Sequence, residues 1–269
     1  MHRAHYQFIS GMTLVELMVA MLLSCLIFTS VTSIYLVLQK NFKTQASLNA
    51  LHENSQTALH ILTENIKAAG YMGCAKLSDN LYLKKFDSWS LSPENKIIGK
   101  DDAIIIQKIN SMSATLVTGV NHGSVLYISD KPRFKKGDVA VISDCIHAEM
   151  FKIENISYLE KSQRIQTSKP ILADYNKYAE VSLFQNESYF IAKTSRKNIS
   201  GLYLKENNKP KIELVEGIEK MRFLYDVNLN NKIVSLPANQ ISDWSLVRGV
   251  SIMLIAADKV NVSYVALRN

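Results

Sequence analysis

The chain has 269 residues, 47% of them apolar and 20% charged, with a formal net charge of +7. That composition excludes a disordered polyelectrolyte, and the length accommodates one membrane span plus a soluble domain of roughly 200 residues. The lysines are scattered rather than tiled with aromatics, as on a solvated surface, though the basic balance leaves nucleic acid open as a partner to be tested.

A short polar leader, residues 1–10, ends at Gly11 and is followed by Met12-Thr13-Leu14-Val15-Glu16-Leu17 and an apolar run as far as Leu38. Glu16 carries the only formal charge between Gly11 and Leu38. At a rise of ~1.5 Å per residue, about twenty such residues cross the ~30 Å hydrocarbon layer, so the run is long enough for a transmembrane helix. A carboxylate inside such a helix is costly, which makes Glu16 a functional position. A cleaved secretory signal has a shorter apolar core and a small-x-small site, and this run fits that pattern poorly. An ordinary single-pass anchor stays open, and Arg3 set against Lys40 and Lys43 assigns no orientation by charge.

The glycine, the hydrophobic residue after it, the threonine two residues after the glycine and the glutamate at the fifth mature position together resemble the type IV prepilin signal. The resemblance implies that a prepilin peptidase cuts after Gly11 and methylates the new amino terminus at Met12. It also implies that Glu16 faces the positive amino terminus of a neighbouring subunit. Apolar packing alone specifies little register, whereas an unpaired buried charge costs on the order of several kcal/mol. The leader departs from the usual pattern, with Phe8 and Ile9 where a basic residue commonly precedes the glycine.

Beyond the span the helical period continues. Leu48, Leu51, Ser55, Ala58, Leu62, Ile66 and Ala69 step at three or four residues, Leu59 widens the stripe, and Gly70 supplies a stop. One helix over residues 13–69 would be roughly 85 Å long. Its amphipathic second half, residues 39–70, needs a partner surface, and a β-sheet laid on the stripe is the economical one. Residues 78–100, with Trp89 and Pro93, read as an irregular connector. After it come short β-rich runs at 103–106, 124–128, 138–142, 151–156, 180–184, 189–193, 201–205 and 211–215, the last two joined by a turn at 207–210. Residues 221–227 alternate as a half-buried strand should, and the nearly continuous apolar run 250–255 suits a central strand. Strands without alternating helices specify an α+β fold: a pilin-like long helix packed on a mainly antiparallel β-rich domain, residues 71–269.

Of three cysteines, Cys25 lies in the span, where it serves as a small apolar residue. Cys74 and Cys145 fall in the part that an exported protein would oxidise, either as a bridge or as two separate thiols. Leu51-His52-Glu53-Asn54, the stretch Ala68-Ala69-Gly70-Tyr71-Met72-Gly73-Cys74, Lys136-Gly137-Asp138-Val139 leading to Ser143-Asp144-Cys145, and residues 213–219 resemble the PilW family of minor pilins. The resemblance implies a Cys74–Cys145 disulfide and a low-abundance structural subunit that helps to prime or cap a type IV pilus, without enzymatic activity or cofactor. Implied partners are other major and minor pilins, the prepilin peptidase and the inner-membrane assembly machinery. The implied location is a single pass through the inner membrane with a periplasmic domain, and the cell surface after assembly. A minor pseudopilin of a type II secretion system shares the same amino-terminal signal, and a tip adhesin or DNA-binding subunit with Lys193, Arg196 and Lys197 in contact is a further reading.

Other chemistry is thinly supported. His147 and Glu149 beside Cys145 suggest a Cys/His nucleophile or a metal pair, against which the simpler expectation is two surface residues. His60 and Glu64 are i,i+4 neighbours and are expected to make an ordinary polar contact. Tyr71, Tyr189, Phe190 and Tyr225 are expected in the core, and no P-loop, GxSxG, HExxH or EF-hand pattern occurs.

Overall fold

The computed structural model describes residues 13–75, 77, 92, 94–100, 102–194, 199–207, 209–257 and 259–267. By its internal contacts the chain divides into two units, the first ending at Ala50 and the second running from Leu51 to Asn269. Helix α1 (Leu14–Lys67) contributes to both. In the first unit every described residue is exposed, including Leu14, Phe28 and Phe42 at 72–74%. This is the one helix among the described residues that is long and apolar enough to cross a membrane. Several of its hydroxyls are satisfied within the helix: Ser24 donates to Ala20 O at 2.7 Å, Ser30 to Leu26 O at 2.8 Å and Thr32 to Phe28 O at 2.8 Å.

In the second unit the helix buries Ser55, Ala58, Leu59, Leu62 and Ile66, the stripe expected from the period. Leu48, placed on the same stripe by its spacing, is 46% exposed and belongs to the first unit. Gly70, with φ +74°, ends the helical turn and donates its N–H to Gln107 O at 2.8 Å.

Among the described residues thirteen strands follow, all paired antiparallel. They are β1 (Ile97–Lys100), β2 (Ala103–Thr115), β3 (Val125–Ser129), β4 (Val139–Ser143), β5 (Ala148–Tyr158), β6 (Ser162–Thr167), β7 (Glu180–Lys193), β8 (Ser200–Glu206), β9 (Ile212–Glu216), β10 (Lys220–Leu229), β11 (Lys232–Leu236), β12 (Val247–Ala256) and β13 (Lys259–Ala266). A nine-stranded sheet has the path β1-β2-β7-β4-β5-β6-β3, with β8 and then β9 branching from β7. A four-stranded sheet has the order β11-β10-β12-β13, which puts the apolar run of β12 in an interior position. The α+β class and the hairpin of β8 with β9 agree with the sequence. The connector differs, since its last residues form β1 on the edge of β2.

The strand β7 joins two runs that the polar stretch Gln185-Asn186-Glu187-Ser188 separates in sequence. One edge of β7 pairs with β2, and the other is shared end to end by β4 and β8. Asn207, in the left-handed region at φ +50°, fills the gap between those two. Its carboxamide accepts from Asn186 N at 2.8 Å and donates to Phe184 O at 3.1 Å.

Two main cores result. The first places Ala58, Leu62 and Ile66 of α1 with Ile104 and Tyr189 of the larger sheet and with Met221, Tyr225, Ile252 and Leu254 of the smaller. The second lies over the far strands, around Leu126, Ile142, Phe151, Ile165 and Tyr175. Tyr189 and Tyr225 are buried as expected, whereas Tyr71 and Phe190 are only half-buried.

Candidate functional site

The first candidate position is the start of α1. Gly11 and Met12, the expected processing residues, lie outside the described residues. Thr13 and Glu16, three apart, form a capping box. The Glu16 carboxylate accepts from Thr13 N at 2.9 Å and from Thr13 Oγ1 at 3.0 Å, and Glu16 N donates back to Thr13 Oγ1 at 3.4 Å. Within one chain, therefore, the exposed Glu16 carboxylate is not bare: its own helix start holds it. The T-x-x-E spacing was available in the sequence, and reading the threonine only as part of a processing motif passed over it.

The second position is the bridge. Cys74 and Cys145 are disulfide-bonded with Cα atoms 4.9 Å apart, while Cys25 is free and exposed. Local structure presents both sulfurs. Gly73, at φ +74°, turns the chain just after α1, and Ile109 N donates to Tyr71 O at 3.0 Å, which lays this segment beside β2. On the other side Asp144 shapes the tip of the β4–β5 hairpin. Its carboxylate accepts from Ile146 N at 2.7 Å and from His147 N at 2.5 Å. Burial alone would raise the Asp144 carboxyl, but these N–H bonds and the nearby His147 ring hold it below its usual range. Both cysteines are exposed, and Met72, Ala75, Val141, Ala148 and Phe184 form a small third core.

Glu149 corrects the sequence reading, because it is 6% exposed rather than a surface residue. Its carboxylate accepts from Leu172 N at 2.8 Å and from Ala173 N at 2.6 Å, so it ties β5 to the loop before β7. His147 is half-buried, with its ring edge-on to Tyr175 at 6.2 Å. The Tyr175 hydroxyl is held protonated by burial and then by the charges of Glu149 and Asp144. These groups are brought together as a brace, since a bonded Cys145 cannot attack and the Glu149 oxygens are already used by N–H donors. The alternation of H-x-E put both on one face correctly, but only the loop packed above determines that the face is covered.

The remaining candidates stand apart. Glu64 pairs with Lys67 at 2.9 Å on the helix surface, and the nearby His60 adds a lesser electrostatic interaction. Lys193 is exposed at the end of β7, and Arg196 and Lys197 lie outside the described residues. Among the described residues no group of three or more His, Cys, Asp and Glu is placed to hold a metal ion. Comparison with protein-family models, with curated proteins and with solved structures gives no match to this chain.

Proposed function

We propose that this chain is a pilin-like structural subunit, a minor pilin of the PilW kind, that serves type IV pilus assembly and not catalysis. The observation that carries the reading is the continuity of α1. It begins at Leu14 with the Thr13–Glu16 capping box in its first turn, runs through an uncovered apolar segment, and without interruption becomes the buried partner of two antiparallel sheets. An uncovered apolar helix needs lipid or other helices around it, and a filament core supplies the second.

In this reading the peptidase cuts after Gly11, and the Met12 amine is methylated. In the inner membrane Thr13 satisfies Glu16. On assembly the positive amino terminus of an adjacent pilin takes over that role and sets the register. The Cys74–Cys145 bridge braces the periplasmic domain.

Amino-terminal sequencing and intact mass of the protein recovered from membranes test this. The expected result is a chain that begins at methylated Met12, with Gly11→Ala accumulating a precursor eleven residues longer. Glu16→Ala should be processed normally but be depleted from sheared filaments. A mature chain that begins elsewhere overturns the reading.

A further inference from the structure

A cavity of about 750 Å³ opens where α1 ends, between Lys67–Gly73, Lys96 just ahead of β1, and the last residues of β13. That size falls within the range of about 300–1,000 Å³ typical of small-molecule sites. Its walls are mixed, with Met72, Leu77, Val265 and the rings of Tyr71 and Tyr264 on one hand and Glu64, Lys67, Lys96 and Ser111 on the other.

Lys96 is the anomaly in this wall. It is only 7% exposed. Its aliphatic stem lies against Gly70, where an added Cβ would come within 3.1 Å of Lys96 Cβ, and so Gly70 makes the room for it. The backbone of Lys96 is fixed, its N–H donating to Ser92 O at 3.0 Å and its carbonyl accepting from Gln107 N at 2.9 Å. The ammonium itself has no ion-pair or hydrogen-bond partner among the described residues. The one acid in the described wall, Glu64, is engaged by Lys67 at 2.9 Å. The charge that Lys96 does feel is of the same sign, that of Arg248 on β12. Burial first, and Arg248 second, depress the Lys96 ammonium below its ordinary value. The stem is buried while the ammonium is still reached by solvent, so an anion that enters the cavity can pair with it.

We infer that this cavity is a binding site for a small amphipathic anion, a carboxylate carried on an apolar body, with Lys96 as its counter-charge. The described wall carries one positive charge in excess, from Lys67 and Lys96 against Glu64, so a monoanion balances it better than a phosphate dianion. The site is independent of filament assembly, and neither reading falls with the other.

The test uses the full chain in lipid nanodiscs with 4-fluorobenzoate as probe, its ¹⁹F line followed against empty nanodiscs. The neutral isostere 4-fluorobenzamide serves as comparison. Wild-type protein should broaden the benzoate line and bind the benzamide at least about tenfold more weakly, the scale of one charge-assisted contact. Lys96→Met should weaken benzoate by about tenfold or more, leave benzamide unchanged, and melt no lower than wild type without probe. Benzoate affinity should fall as pH rises, because the depressed Lys96 loses its charge earlier than an exposed lysine. Three results overturn the inference: no benzoate binding up to about 10 mM, equal binding of benzoate and benzamide by wild type, or wild-type benzoate affinity in Lys96→Met. The first two are read on unmodified protein and do not depend on how the variant folds.

Discussion

At the level of single residues, the polar groups sunk beneath α1 matter most. Lys108, 8% exposed on β2, lies 3.0 Å from the Glu187 carboxylate on β7 and also donates to the Asn65 carboxamide on the helix. Tyr189 Oη donates to Glu187 at 2.8 Å, and burial followed by that carboxylate keeps the phenol protonated. Each charge is satisfied only while the others are present. Lys108→Met leaves Glu187 buried without its cation and should cost about 3–5 kcal/mol in denaturant unfolding. Adding Glu187→Gln should recover a large part of that loss, and strictly additive costs would show that the pair is uncoupled. None of this was legible from residues 185–188. The polar run only separates two β-rich stretches in sequence, and the lysine on the neighbouring strand is what accounts for a buried carboxylate inside the continuous β7.

Among elements, α1 was the most legible and the small strands the least. Seven residues stepping at three and four, with no proline before Pro93, identify the helix, and those of them beyond Leu48 its seated face. The strand β6, Ser-Gln-Arg-Ile-Gln-Thr, carries no apolar alternation because its inward positions include Gln163 and Thr167, which are buried for hydrogen bonding. Gln163 Nε2 donates to Ser129 O at 2.9 Å and Pro132 O at 2.8 Å, and its Oε1 accepts from Phe134 N at 3.1 Å, so it knits the loop after β3. Helix docking shows its dependence on the stripe at Leu62, fully buried between the two sheets. Leu62→Ala should destabilise the protein by about 2–5 kcal/mol, whereas Leu48→Ala, from an exposed position, should stay within about 0.5 kcal/mol. Equal effects in urea unfolding would mean that the helix is not seated as described.

Taken whole, the second unit hangs on β7 and on one covalent tie. Because β7 touches β2, β4 and β8, the two main cores share a strand and should lose structure in a single transition. The Cys74–Cys145 bond spans 71 residues, which in the chain-entropy account contributes about 4 kcal/mol. Reduction should therefore lower the melting temperature by about ten degrees. The denatured oxidised chain should titrate one thiol, that of Cys25, and the reduced chain all three. The pairing was open from two cysteines alone. The hairpin tip that Asp144 shapes and the turn at Gly73 make it geometrically natural. That bond sits seven residues beyond Lys67, the last residue of α1. A tug on the helix that peeled every side chain of its stripe away would still meet a hitch at Cys74. The slack paid out past the helix is then limited to residues 68–73, and the load passes into the β4–β5 hairpin instead of unravelling the chain towards β1.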